Sequence, residues 1–132
     1  MKARYKLAHL PPSVNHLWRH TKGGKTFRTR DYQTWLNGEG WNLKAQLPSQ
    51  PRFDGPVYIT CPMRRPRADA DLDNRLKGIG DLLQSIGAIA NDKLIMGWNC
   101  WWSDDLPAGV AAEISIVGAD PVADALGQAR AA

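Results

Sequence analysis

The stretch that organises this chain runs from Asp69 to Gly87 and reads DADLDNRLKGIGDLLQSIG. Its apolar residues Leu72, Leu76, Ile79, Leu83 and Ile86 recur at steps of four and three, which draws one stripe along a helix. Gly87 stands where a helix takes its C-terminal stop. Three carboxylates, Asp69, Asp71 and Asp73, crowd the start, directly after the cationic run Arg64-Arg65-Pro66-Arg67. Asp69 is a candidate N-cap. Asp73, Lys77 and Asp81 follow one another at intervals of four, so an α-helix projects all three from one face while Leu72 and Leu76 turn to the core.

Working outward, residues 4–10 alternate (Tyr5, Leu7 and His9 against Lys6 and Ala8) and predict a first strand, ended by Pro11-Pro12-Ser13. A basic loop follows, RHTKGGKTFRTR, from Arg19 to Arg30. Thr29 or Asp31 is placed to cap a helix running through Tyr32, Trp35 and Leu36 to Leu43 and Leu47, although Gly38 and Gly40 weaken it. Pro48 and Pro51 break the chain before a strand over 56–63, with Val57, Ile59 and Cys61 on one face. After the central helix, Asn91-Asp92 reads as a turn, 94–102 as a third strand and 110–117 as a fourth. The order β-α-β-α-β-β implies an α/β (α+β) fold, one small mixed sheet with helices packed on it. One domain is expected over residues 1–118, with 119–132, rich in Ala, as a frayed tail.

A chain of 132 residues buries roughly two-thirds of its unfolded surface, enough for one core. Hydrophobic content of 43% and charged content of 23% argue against global disorder. No apolar run approaches the ~20 residues of a membrane span, and the charged start lacks the apolar stretch of a signal peptide. Cys61 and Cys100 have no metal spacing and read as buried free thiols. A cytoplasmic protein is expected. The net charge of +4 conceals a division: residues 1–67 carry 13 Lys and Arg against three acids, and residues 68–132 carry four against ten. That asymmetry suggests a polyanion-binding half joined to a half that keeps its acids for another task. Interleaving of the charges on a solvated surface is the plainer alternative.

Chemistry separates the readings. Two carboxylates at one helix start repel each other unless a divalent cation bridges them, and oxygen donors of this type suit Mg²⁺, with Mn²⁺ able to substitute. Asp71 and Asp73 are the candidate ligands, with Asp92 as a third if the chain doubles back. Lys77 would stabilise charge on a phosphorane or orient the attacking water. Arg64, Arg65 and Arg67 would grip flanking phosphates. Arg19, His20, Lys22, Lys25 and Arg28 would track a DNA backbone from the basic loop. Lys22-Gly23-Gly24-Lys25 lacks the frame of a P-loop, so no nucleotide cofactor is implied. A capped helix with a solvated Asp73–Lys77 ion pair would account for the central residues equally simply. Trp98, Trp101 and Trp102 on one strand cannot all face one side.

DLDNRLK, followed after the helix by AIANDKLI and preceded near the N-terminus by PPSVN (Pro11 to Asn15), resembles the RusA family of Holliday-junction resolvases, common in bacteria and their prophages. The resemblance spans about residues 4 to 117. It implies that Asp71, Asp73 and Asp92 are metal-binding acids, that Lys77 is the motif lysine, and that Asn74 supports the helix start. Where the family often has two adjacent acids, this chain has Asn91-Asp92. The resemblance further implies a Mg²⁺-dependent, RusA-like homodimer that resolves four-way-junction DNA by symmetric paired nicks in recombination and repair. A catalytically silent junction-binding protein, a flap or branched-DNA nuclease, and a D-x-D enzyme of nucleotide-sugars are the alternatives.

Overall fold

In the computed structural model, the described residues are 2–13, 18–20, 26–47 and 49–119, with backbone alone at 18–20 and 26–27. The elements follow in the order β1 (Lys2–Leu7), β2 (Trp18–His20), β3 (Thr26–Arg28), α1 (Arg30–Gln46), β4 (Val57–Met63), a 3₁₀ turn (Asp73–Arg75), α2 (Leu76–Ser85), a second 3₁₀ turn (Asp92–Leu94), β5 (Ile95–Trp102) and β6 (Ala112–Gly118). The expected order holds, but the first strand, expected over 4–10, is Lys2–Leu7 and leaves His9 outside it, and the basic segment differs as well. Both ends of the basic segment expected to be a loop are strands, β2 and β3, paired antiparallel with Trp18 opposite Arg28. Strands of three residues are too short to show a period, so the sequence does not announce them.

The main sheet has the order β1-β6-β4-β5. β1 and β4 both pair antiparallel with β6, whereas β4 and β5 run parallel. Parallel neighbours need a crossover, and α2 supplies it. One face of the sheet is covered by the helices and carries the core, where Tyr5, Leu7, Ile59, Met63, Ile114 and Ile116 are at most 1% exposed. The other face presents Lys2, Arg4 and Lys6 from β1 together with the exposed apolar side chains Tyr58, Trp101 and Val117. Trp98 and Trp102 pack partly buried against the core while Trp101 turns outward, the split that strand geometry demands. Gly97 lies beneath the Tyr58 ring, whose Cδ1 would stand 2.9 Å from any added Cβ.

α1 begins where the sequence places it. The hydroxyl of Thr29 accepts the Tyr32 N–H at 3.3 Å, satisfying one of the donors left open at a helix start. Gly38 and Gly40 do not interrupt it. Gly40 is buried, and a Cβ there would already lie 3.6 Å from Ile86 Cγ2, so a small residue brings α1 close to the end of α2. α2 buries Ile79, Leu82 and Leu83 completely, and each such side chain contributes about 1.5–3 kcal/mol. Its end is a Schellman turn: Gly87 has φ +78°, its N–H donates to Gln84 O, and the Ala88 N–H donates to Leu83 O at 3.0 Å.

The start of that helix departs from expectation. Asp69 does not cap it; the 3₁₀ turn is entered from Leu72 with no side-chain cap, and Asp69 pairs instead with Arg67 at 3.5 Å. Leaving β1, the chain is pinned across this region. The Glu39 carboxylate, 3% exposed, accepts the N–H groups of Ala8 (3.3 Å) and His9 (3.0 Å) and the Asn42 amide (2.9 Å). Trp35 Nε1 donates to His9 O at 2.8 Å and Arg75 Nη1 to Pro11 O at 2.6 Å. Pro11 lies so close to Gly78 that a Cβ there would come within 2.6 Å of its own Cβ. Ala119, the first residue of the expected tail, is buried and donates to Pro56 O at 2.7 Å. The rest of that tail, 120–132, lies outside the described residues.

Candidate active site

The connection leaving the carboxyl end of β4 carries Arg64, Arg65, Arg67, Asp69 and Asp71 in turn, then enters the 3₁₀ turn with Asp73. Acids and bases are therefore neighbours in space because they share one segment between a strand and its crossover helix. Asp71 and Asp73 are exposed. Asn74 Nδ2 donates to Asp71 Oδ2 at 3.2 Å, which steadies that carboxylate at the helix start, where the helix dipole also favours negative charge.

Lys77 is the hub. Its ammonium donates to Asp81 Oδ1 at 2.9 Å and to Asp92 Oδ2 at 3.1 Å. The second 3₁₀ turn brings Asp92 back against α2, as doubling back of the chain requires: the Asp92 N–H donates to Gln84 Oε1 at 3.0 Å, and its Cβ lies 3.9 Å from the position of a Cβ on Gly80. The Asp81 hydrogen bond, seconded by Asp92, raises the Lys77 pKa above its ordinary value against the lowering effect of partial burial. Lys77 is thus a fixed cation. The Asp73–Lys77 ion pair of the simpler alternative, a capped and solvated helix, does not form among the described residues. A 3₁₀ turn advances about 120° per residue, so Asp73 is rotated off the face that four α-helical steps would give it.

The arginines divide. Arg64 turns toward the β5–β6 connection, its guanidinium donating to Leu106 O (2.9 Å), Pro107 O (3.1 Å) and Val110 O (3.4 Å). Arg65 is exposed, with its guanidinium 5.4 Å from the centre of the Trp102 ring, and Arg67 is exposed beside Asp69. Arg28, at the end of β3, stands exposed with its guanidinium 5.8 Å from the Tyr32 ring centre. Arg19 and His20 are placed on β2 by their backbone, and Lys22 and Lys25 lie outside the described residues.

Two contributors are not among the site residues expected from the sequence, although Asp81 is placed there on the face of Lys77. Asp81, nearly buried, ties Lys77 to the hydroxyl of Tyr32 on α1, which donates to Asp81 Oδ2. Burial first and this hydrogen bond second raise the Tyr32 pKa far above that of a free phenol. The four-residue step from Lys77 to Asp81 was the available signal; the tyrosine, 49 residues away, gave none. Asp71 and Asp73 are exposed and Asp92 is half-buried, so each presents carboxylate oxygens, the donor type that suits a hydrated divalent cation. Among the described residues, no three acids, histidines or cysteines are gathered into a group that could hold a metal ion, so the structure does not itself bring Asp71, Asp73 and Asp92 together as ligands.

A four-stranded mixed sheet with two helices packed on it, and a β4-to-β5 crossover that gathers acids, a paired lysine and exposed arginines, defines the class: a small α+β protein with both charge signs side by side. The chain belongs to the RusA family, for the model of the family described as endodeoxyribonuclease RusA matches residues 9–116. It is a phosphodiester-hydrolysing enzyme of that family. The chain is also 30% identical over 92 residues to the crossover junction endodeoxyribonuclease RusA of Aquifex aeolicus (strain VF5), a match that covers 67% of this chain and 71% of the relative. No helix among the described residues is long and apolar enough to cross a membrane.

Proposed function

We propose that the chain resolves Holliday junctions, cutting two strands in a paired fashion as a Mg²⁺-dependent homodimer. The observation that carries this reading is Lys77 held between Asp81 and Asp92, on the helix whose start presents Asp71 and Asp73. Membership of the RusA family and the name of the Aquifex relative supply the substrate class. Asp71, Asp73 and Asp92 would hold the cation, which supplies Lewis acidity at a phosphate oxygen when bound. The remaining work falls to the protein. Lys77 stabilises the extra negative charge of the pentavalent phosphorus state through a preorganised ammonium. Arg65, Arg67 and Arg28, exposed on neighbouring segments, bind phosphates either side of the cut, joined by Arg19, His20, Lys22 and Lys25 of the basic segment.

Pairing of the cuts calls for two sites related by a twofold axis. Among the described residues, the sheet face away from the helices exposes Tyr58, Trp101 and Val117 beside Lys2, Arg4 and Lys6, and this cluster, with the exposed Met96 of edge strand β5, is the surface that would carry self-association. Incubating the purified protein with synthetic four-way junction, duplex and flap DNA, with and without Mg²⁺, tests the reading. Symmetric nicking of the junction only with the cation is expected. Binding without cleavage in Mg²⁺ would make it a junction-binding protein, and equal cutting of flap and junction would make it a general branched-DNA nuclease.

A further inference from the structure

An exposed lysine on a helix ordinarily wanders among rotamers, and a solvated partner four residues on restrains it little. Lys77 differs because its partner is itself fixed. The Asp81 side chain is only 9% exposed, and its two oxygens are divided between two helices: Oδ1 accepts from Lys77 on α2, and Oδ2 accepts the hydroxyl of Tyr32 on α1. Tyr32 is fully buried, and its ring stacks with Trp35 at 6.1 Å between centroids. Its position is set by the packing of α1 and not by the local conformation of α2. The second partner of Lys77, Asp92, is of another kind. It is 34% exposed on a 3₁₀ turn, and it is an acid that the cation would engage. Were Asp92 to turn to a cation, Asp81 would be the remaining partner of the ammonium among the described residues, with three N–H donors to distribute.

We propose that Asp81 and Tyr32 are positioning residues for cleavage: the Tyr32 hydroxyl anchors the Asp81 carboxylate, and that carboxylate holds the Lys77 ammonium in line with the scissile phosphate. Arg28 over the Tyr32 ring places the same anchor at the foot of the β2–β3 hairpin. The inference rests on the nuclease reading of Lys77, and its test separates the two.

Single-turnover cleavage of a four-way junction is measured for wild type, Asp81→Asn, Tyr32→Phe, Lys77→Ala and Lys77→Ala/Asp81→Asn, alongside junction affinity in EDTA and thermal midpoint. Tyr32→Phe keeps the buried ring and guards against loss of fold in Asp81→Asn. The expected result is a maximal rate lowered about ten- to a hundredfold in Asp81→Asn and less in Tyr32→Phe, the scale of a catalytic group displaced by about an ångström. Junction affinity should stay within about twofold of wild type, and Asp81→Asn should add under about twofold once Lys77 is Ala, because residues that act as a unit are not additive. Wild-type rates in both Asp81→Asn and Tyr32→Phe, with Lys77→Ala impaired, would overturn the positioning role alone. So would an Asp81→Asn loss that persists in full in the Lys77→Ala background. Normal cleavage by Lys77→Ala would overturn this proposal together with the assignment of Lys77.

Discussion

Replacing Glu39 tests whether the first strand is tied to the helices in the way described. Glu39→Ala removes a carboxylate that accepts two backbone N–H groups, from Ala8 and His9, and one amide, from Asn42. The amide can turn away, since Asn42 Nδ2 also reaches Lys6 O at 3.2 Å. The two N–H groups cannot move without moving the strand end. Each buried donor left open costs about 1–3 kcal/mol. Ala8 and His9 are exposed residues bordering a groove beside α1, so water can enter behind the missing carboxylate, and the low end of that range applies. The expected loss is therefore about 2–3 kcal/mol. For 132 residues, with an unfolding entropy of about 2.1 cal/mol/K per residue, a loss of about 2.5 kcal/mol lowers the thermal midpoint by about 9 °C. Glu39→Gln keeps one acceptor oxygen and should lose about half as much. Circular dichroism with urea and heat, at one protein concentration so that any association is held constant, measures both. A Glu39→Ala protein within about 0.5 kcal/mol of wild type would refute the claim that this carboxylate holds the strand end, since that is the ordinary scatter of surface substitutions.

Other expectations follow from the same geometry. The Tyr5 hydroxyl is buried without a hydrogen-bond partner among the described residues, so Tyr5→Phe should leave stability unchanged or raise it by about 1 kcal/mol, read as a higher urea midpoint. Burial raises the pKa of Tyr5 and, with help from Asp81, that of Tyr32, so above about pH 10 the unfolded chain releases phenol protons that the folded chain retains. Stability should hold below that pH and fall as pH climbs toward the folded values; flat stability from pH 9 to 11.5 would contradict it. Asp71→Asn should abolish cleavage while junction affinity stays equal or tightens, because less negative charge then faces phosphate; a rate within tenfold of wild type in Mg²⁺ would remove Asp71 from the ligand set. Arg65→Ala with Arg67→Ala should flatten the logarithmic salt dependence of DNA binding by about two units, whereas Arg64→Ala, whose guanidinium is spent on carbonyls, should lower stability and leave the slope alone.

Local sequence determined the parts whose information is periodic or conformational. The stripe from Leu72 to Ile86 could only bury one face of a helix, and Gly87 was the residue able to close it at positive φ. Alternation in β1, β4 and β6 settled which side chains enter the core, and the start of α1 was narrowed to a cap at Thr29 or Asp31, of which the structure uses Thr29. DLDNRLK, with the later AIANDKLI and the early PPSVN, resembles the family in sequence alone. Tertiary structure decided whatever depends on partners distant in the chain. The parallel pairing of β4 with β5, which leaves β5 at the edge, follows from the path of the crossover and not from either strand alone. Asp73 and Asp81 stand equally far from Lys77 in sequence; the tight turn swings Asp73 aside, and Tyr32, arriving from α1, fixes Asp81 as the partner. Arg64 resembles its neighbours in the cationic run until the carbonyls of the β5–β6 connection claim it. Side-chain periodicity records which way a residue faces, and only the packing of separate elements supplies what it meets there.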